Sequence, residues 1–309
     1  MNKFESHFNG WLRPWQSQRC DACGDACGDA MQDGIAPLSG PELDGANKSL
    51  NNLYADTSSG WACAGGDCDY SLPGTGPLYT GHWHGKRVHD GLSVLLPLLP
   101  VLSARPVCVI DIGAGTGAAL WAWTLLARCA QEWGSPLPVH SWYSIDCSQS
   151  MLKQSDRLWG KLCRVLPNAP ELVNRQPAAL CDWRNHPPLP TGALVVGSYL
   201  FARADLTNPA ATAAAFVAFL TRLTASGVVL WTKPNKCAVQ DGVKTQLVGW
   251  IDRTPLKLFD CALQGQMRKC LSVAQAKFVE VNLPRDPEWN KRLNWGCAPT
   301  KVARLAMTR

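Results

Sequence analysis

From Val88 onward the apolar residues follow two spacing patterns, which alternate along the chain. Short, almost continuously apolar runs predict buried strands, and longer segments with apolar residues every three to four positions predict amphipathic helices. The pattern predicts helices over Val88–Ser103, Ala118–Glu132, Ser148–Val165 and Ala210–Thr224. It predicts strands over Val107–Ile112, Val139–Ile145, Ala178–Cys181, Ala193–Tyr199, Val228–Thr232, Phe278–Leu283 and Val302–Met307. Strict alternation of strand and helix implies an α/β fold, a parallel sheet with helices on both faces.

The chain before this region has a different composition. Residues 20–80 are rich in Gly, Pro, Asp, Asn and Ser and hold few apolar runs of useful length. This composition predicts an irregular extension that is rich in Cys, Gly and Asp. We therefore divide the chain into an N-terminal extension, residues 1–87, whose end could form a substrate lid, and a folded domain, residues 88–309.

Charge is uneven along the 309 residues, which carry a net +6. Nine acidic residues and one lysine lie between Cys20 and Tyr70, a balance of −8 that leaves +14 on the rest of the chain. A basic body suits an anionic partner such as RNA, although solvated lysines on an ordinary surface would give the same count. RNA is therefore a candidate partner, and the oligomeric state stays open.

No segment has the length and apolarity of a membrane span. The longest apolar run, Leu92–Leu102, has eleven residues and contains two prolines, against the roughly 20 residues that a bilayer requires. The amino terminus has no apolar core followed by a small-residue cleavage site. A cytoplasmic location is expected, and a mitochondrial one stays open because the terminus is arginine-bearing and poor in acids.

The segment Val107–Ala122 (VCVIDIGAGTGAALWA) is the most informative for function. A strand that contains Asp111 leads into three alternate glycines, and a helix follows at once. Such a turn needs glycine where the backbone bends sharply and a ligand approaches the main chain. The loop would lie at the carboxyl edge of the sheet, where ligands of open parallel sheets bind.

Acidic residues follow the next two strands. Asp146, before Cys147, would accept the hydroxyls of a ribose at the tip of the second strand. Asp182 would accept the exocyclic amine of adenine, with Trp183 stacked on the ring. The alternative is that Asp182 only caps the turn before Arg184.

At these residues the sequence resembles the class I S-adenosylmethionine-dependent methyltransferases. VIDIGAGTG stands in the position of the first motif of that family, Asp146 in that of its ribose-binding acid and Asp182 in that of its adenine contact. The resemblance implies a Rossmann-like, seven-stranded, mostly parallel sheet whose last strand runs antiparallel between its neighbours. It implies S-adenosylmethionine as cofactor, with these contacts: Asp111, Gly113, Ala114, Gly115, Gly117, Asp146, Cys147, Asp182, Trp183 and Ser198. A dinucleotide dehydrogenase is the rival interpretation, but the loop lacks the G-x-G-x-x-G spacing.

The methyl acceptor depends on the residues that follow the fourth strand, here GSYLF. Motifs of adenine-amino, cytosine-C5 and protein arginine methyltransferases are missing from this stretch. Lys86, Lys233 and Glu280 match parts of the tetrad of a ribose 2′-O-methyltransferase, but its aspartate is absent, because Tyr199 or Ser198 occupies that position and Asp205 comes late. The remaining expectation is transfer to an oxygen or nitrogen acceptor, with Tyr199, His84 and Lys233 as catalytic candidates.

A second resemblance gives one alternative function. GAGTGAALWAW, SQSML and GSYLFARAD are similar to the methyltransferase-like proteins of the mitochondrial small ribosomal subunit. This resemblance implies a ribosome-assembly or RNA-binding factor with little or no turnover. A small-molecule methyltransferase is the other alternative.

Cysteines and histidines before the cofactor domain could bind metal. Cysteines at close spacing could hold zinc or an iron-sulfur cluster, although the spacing matches no standard finger and free thiols are the alternative. These cysteines are Cys20, Cys23, Cys27, Cys63 and Cys68. His82, His84 and His89 could each be a base, a metal ligand or a plain surface residue.

Overall fold

The computed structural model describes residues 26–51, 68–95, 98, 102, 107–132, 137, 139–201, 208–232, 237–253 and 303–309. The helices in this part are α1 (26–35), α2 (Gly40–Asn51), α3 (Thr75–Tyr79), α4 (Gly85–Leu95), α5 (Ala118–Glu132), α6 (Gln149–Val165), α7 (Ala169–Leu172), α8 (Pro209–Arg222) and α9 (Ala238–Gln246). A π-helical turn, Thr80–His84, joins α3 to α4. The strands are β1 (Val107–Ile112), β2 (Val139–Asp146), β3 (Val173–Arg175), β4 (Ala179–Leu180), β5 (Leu194–Ser198), β6 (Gly227–Thr232), β7 (Ile251–Asp252) and β8 (Ala303–Thr308).

All eight strands form one sheet in the order β3-β2-β1-β5-β6-β8-β7, with β4 also paired to β2. Because β3 and β4 both pair with β2 in parallel, they share one position, and the sheet has seven positions. The last strand, β8, runs antiparallel between β6 and β7. The Rossmann-like α/β fold expected from the sequence is confirmed.

Helices cover both faces of the sheet, as alternate burial along the central strands shows. Val109, Val196 and Val229 join a cluster with residues of α4, α5 and α6. The neighbouring residues Ile110, Val195 and Val228 join a second cluster with residues of α8 and α9. Strands buried on both faces read as continuous apolar runs, which is why the strand prediction succeeded at β1, β5 and β6.

The N-terminal region differs from its predicted irregular character where the structure describes it. Residues 26–51 are mostly helical, and the chain is helical without a break from Thr75 to Leu95. Helix α1 packs on α6, where Lys161 Nζ lies 2.8 Å from Asp33 Oδ2 and Gln154 Nε2 donates to the Ala30 carbonyl at 2.9 Å. Tertiary packing outweighs the low helix propensity of a Gly- and Asp-rich segment.

Two further elements differ from the prediction. The helix predicted to begin at Val88 is already formed at Gly85 and its described part ends at Leu95. Ile251–Asp252 occupies the sheet position beside the last strand, and the predicted strand Phe278–Leu283 lies outside the described residues. No helix in the described ranges is long and apolar enough to cross a membrane.

Candidate functional site

The glycine loop joins β1 to α5 at the carboxyl edge of the sheet. Gly113, Gly115 and Gly117 all have positive φ, at 65°, 55° and 79°. The Ala114 amide donates to the Ile145 carbonyl of β2 at 3.0 Å, and the Gly117 amide closes the turn on the Ala114 carbonyl at 2.8 Å. The loop is therefore fixed against the second strand before any ligand binds.

Gly117 also lies very close to helix α6. A Cβ atom at this position would be 2.5 Å from Ser155 Oγ, too close for any real contact. At Gly115 a Cβ would meet the Met151 Cε atom at 3.4 Å and the Gly113 carbonyl oxygen at 3.9 Å, both ordinary contacts. The fold therefore requires glycine at position 117 for both backbone conformation and space, and at position 115 chiefly for backbone conformation.

Asp146 connects the two loops at the edge of the sheet. Its Oδ2 atom accepts from the Gly115 amide at 2.8 Å, and its Oδ1 atom accepts from the Ser148 amide at 2.8 Å. A carboxylate oxygen can accept more than one hydrogen bond, which is the chemistry that a ligand hydroxyl requires. Cys147, directly after it, is exposed at the same edge.

Asp111 is a buried acid at the end of β1. Its side chain is fully buried, and neither carboxylate oxygen has a hydrogen-bond partner among the described residues. Burial, with a smaller contribution from the charge of Asp146, raises the pKa of Asp111 well above its usual range. A buried carboxyl group with a raised pKa beside a glycine loop of this kind is typical of a functional site.

Asp182 caps a turn in the structure, whereas Trp183 is buried in the core. Asp182 caps its turn, because Oδ1 accepts from the Arg184 amide at 3.0 Å and Oδ2 from Arg184 Nη1 at 3.2 Å. Trp183 is buried in the second core cluster, edge-on to Phe216 at 5.3 Å, with the Arg184 guanidinium 4.8 Å from its ring. Trp183 thus serves packing, which leaves little of its ring for a stacked adenine.

A strap, residues 70–84, crosses the start of helix α6. The Ser148 hydroxyl donates to the Tyr70 carbonyl, and the Ser150 hydroxyl donates to the Pro73 carbonyl at 2.9 Å. The Gly76 amide returns a hydrogen bond to Ser150 Oγ at 3.1 Å. The strap therefore covers the turn that follows the ribose-binding candidate Asp146.

His84 ends the strap inside the protein. Its Nδ1 atom is 3.0 Å from Oγ1 of Thr116, a residue of the glycine loop, and its ring lies edge-on to Trp121 at 5.1 Å. The ring is fully buried, and Nε2 has no partner among the described residues. Burial lowers the pKa of His84 to about 3, so the imidazole is neutral at pH 7.

Tyr199 stands at the end of β5, where the acceptor is expected. It has a φ of 57°, a conformation that costs a bulky residue energy and marks many functional sites. Its hydroxyl donates to Asp90 Oδ2 at 2.8 Å, and the Arg87 guanidinium carbon lies 3.2 Å from its ring centroid. Burial raises the pKa of the Tyr199 phenol, which stays protonated.

Sequence reasoning missed Arg87 and Asp90. Their spacing of three on a helix that precedes the glycine loop was the available signal, since it puts both side chains on one helix face. Of the three histidines nearby, only His84 has a described side chain.

Some of the predicted metal and catalytic residues lie outside the described part of the chain, and two of the cysteines lie in different clusters. Lys233, Cys20, Cys23 and Cys63 lie outside the described residues. Cys27 packs against the main core and Cys68 belongs to a small separate cluster with Leu78, so the structure does not bring these two together. In the described ranges no group of three or more His, Cys, Asp or Glu side chains could hold a metal.

Comparisons with solved structures find methyltransferases. The plantazolicin methyltransferase BamL, with a triazolic desmethylPZN analog and S-adenosylhomocysteine, matches at 11% identity and a TM-score of 0.38, over 94% of this chain and 97% of that one. The magnesium protoporphyrin IX methyltransferase of Synechocystis PCC 6803, with bound S-adenosylmethionine, matches at 14% identity and a TM-score of 0.37, over 67% and 83%. A COG1565 superfamily member from Burkholderia thailandensis, bound to S-adenosylhomocysteine, matches at 12% identity and a TM-score of 0.39, over 88% and 94%. No family model and no curated protein matches the chain.

Proposed function

We propose that this chain is an S-adenosylmethionine-dependent methyltransferase. The observation that carries the proposal is the glycine loop, which has three positive-φ glycines and is held by hydrogen bonds from Gly115 to Asp146 and from Ala114 to β2. Glycines in such a turn would let a ligand approach the main chain closely, and the lack of the G-x-G-x-x-G spacing fits a ligand without a pyrophosphate. The fold supports the same conclusion.

The residues at this edge fit the cofactor. Asp146 would accept the ribose hydroxyls with its carboxylate oxygens, and Asp182 would accept the adenine amine beside its hydrogen bonds to Arg184. The carboxyl of Asp111, which has no hydrogen-bond partner among the described residues, and the backbone of Ala114 lie at the same loop. Cys147 directly follows β2, and Ser198 is the last residue of β5. When bound, S-adenosylmethionine supplies an electrophilic methyl group on a good leaving group, so the protein contributes mainly alignment.

Among the catalytic candidates, His84 has the chemistry of a weak base. Its ring is neutral at pH 7, and Nε2 lacks a partner among the described residues. Tyr199 donates to Asp90 and is better suited to hold the acceptor than to remove its proton. Lys233 stays a candidate on sequence grounds alone. The expected acceptor atom is oxygen or nitrogen.

The acceptor can be identified by transfer of a labelled methyl group. We expect label from S-adenosylmethionine to enter a small-molecule or RNA fraction of a cell extract, with stoichiometric release of S-adenosylhomocysteine. Binding of the cofactor without any transfer or release would favour the assembly-factor alternative. In that case RNA should stay bound to the purified protein, and its affinity should fall steeply with salt.

A further inference from the structure

Arg87 is the most unusual charged residue beside the proposed site. Its guanidinium lies between two aromatic rings, with Cζ 3.2 Å from the Tyr199 centroid and 5.1 Å from the Trp83 centroid. The side chain keeps only 10% of its surface exposed. It also hydrogen-bonds Tyr79. Nε and Nη1, however, have no hydrogen-bond partner among the described residues.

Asp90 does not satisfy these donors. Its Oδ2 atom accepts the Tyr199 hydroxyl and lies 3.8 Å from Arg87 Nη1, which is too far for a hydrogen bond. Asp90 therefore offsets the charge of Arg87 without occupying its N–H groups. Buried donors on a charged group are costly when they stay unpaired, so a polar partner is expected at this position.

The position of Arg87 indicates which ligand would supply that partner. Helix α4 begins beside the glycine loop, where His84 contacts Thr116, and Arg87 lies almost one turn farther along. At that point the helix contacts Tyr199, directly after the end of β5. The donors thus lie between the cofactor loop and the strand end where a methyl acceptor is expected.

We propose that Arg87 receives a terminal anionic group, a carboxylate or a phosphate monoester, of a small methyl acceptor. This inference rests on the proposed function. Guanidinium groups are suited to carboxylate and phosphate because they offer fixed donors and a permanent charge. The near-complete burial of Arg87 favours a terminal group over the phosphodiester backbone of RNA, because each phosphate of a polymer strand is flanked by nucleotides on both sides.

The test uses the full chain saturated with S-adenosylhomocysteine, so that the cofactor's own carboxylate is already accommodated. Calorimetry at constant ionic strength compares benzoate with the neutral benzamide, and inorganic phosphate with chloride. We expect benzoate to bind at least tenfold more tightly than benzamide, and phosphate to bind detectably. Arg87→Met should abolish both preferences, and Arg87→Lys should keep part of them. Arg222→Met, on the exposed last turn of α8, is the matched control and should behave like the wild type.

Several results would overturn the assignment. One is equal binding of benzoate and benzamide to the wild type. If Arg87→Met fails to fold, the affinities of the wild type and of Arg87→Lys for these two ligands still test the proposal. Another is a weaker affinity of Arg87→Met for S-adenosylmethionine with unchanged affinity for 5′-methylthioadenosine, since the anion would then be the cofactor's carboxylate. A third is Arg87-dependent binding of an RNA oligonucleotide without binding of benzoate or phosphate. A wild type that binds no S-adenosylhomocysteine would instead refute the proposed function.

Discussion

Gly117 gives the sharpest stability prediction, because two separate effects oppose any side chain there. At a φ of 79° an L-residue costs about 1 to 2 kcal/mol. A Cβ atom 2.5 Å from Ser155 Oγ adds overpacking, which costs about 1 to 3 kcal/mol. Gly117→Ala should therefore lower the free energy of unfolding by about 2 to 5 kcal/mol, measured by urea denaturation.

A second substitution separates the two effects. Ser155 Oγ is buried and has no partner among the described residues, so Ser155→Ala alone should be neutral or slightly stabilising. Gly117→Ala combined with Ser155→Ala leaves only the Ser155 Cβ atom near the new Cβ, at 3.5 Å. This double variant should regain the stability that overpacking removes. It should then match Gly115→Ala, whose φ is 55° and whose nearest contact is 3.4 Å. Full stability of Gly117→Ala, or no recovery in the double variant, would refute the reasoning.

Three further outcomes are expected. Asp146→Ala should weaken S-adenosylmethionine binding by about 1.5 to 3 kcal/mol in calorimetry, the scale of a charge-assisted hydrogen bond, while Asp241→Ala on α9 leaves it unchanged. Asp111→Asn should raise the thermal midpoint at pH 7, because folding keeps a carboxyl with a raised pKa away from water, and should also weaken cofactor binding. An unchanged midpoint would contradict this. Because His84 has a pKa of about 3 when folded and near 6.5 when unfolded, only the unfolded state binds its proton between these values. Stability should fall as pH drops from 6.5 to 3, and less steeply in His84→Gln.

The cofactor edge was predictable because its signals are local in sequence. Gly113 to Gly117 and Asp146 each follow an apolar strand directly, and parallel strands bring their carboxyl ends to one edge. The last strand was placed correctly because the family resemblance fixes its direction. Asp182 shows the limit of prediction from sequence, because the same residues fit both an adenine contact and a turn cap. The structure shows the turn cap.

The strap and the Arg87 cluster were not predictable because they depend on contacts between distant segments. Tyr70 and Ser148 are 78 residues apart, and Asp90 and Tyr199 are 109 apart. Nothing in the Gly- and Asp-rich composition of residues 20–80 indicates that helix α1 packs on α6. The sequence predicts that Trp183 stacks on adenine, because an aromatic residue beside an acid suits that role. In the structure the ring packs in the core against Phe216.

Equilibrium binding of S-adenosylmethionine to the purified full chain tests the central claim most directly. Calorimetry should give a dissociation constant in the micromolar range for S-adenosylmethionine, competition by S-adenosylhomocysteine, and no heat with NAD. Gly115→Arg should abolish the binding without loss of the folded state, because a long side chain in the middle of the loop would obstruct a ligand that approaches the main chain. Binding of NAD in place of S-adenosylmethionine, or binding of neither, would contradict the account.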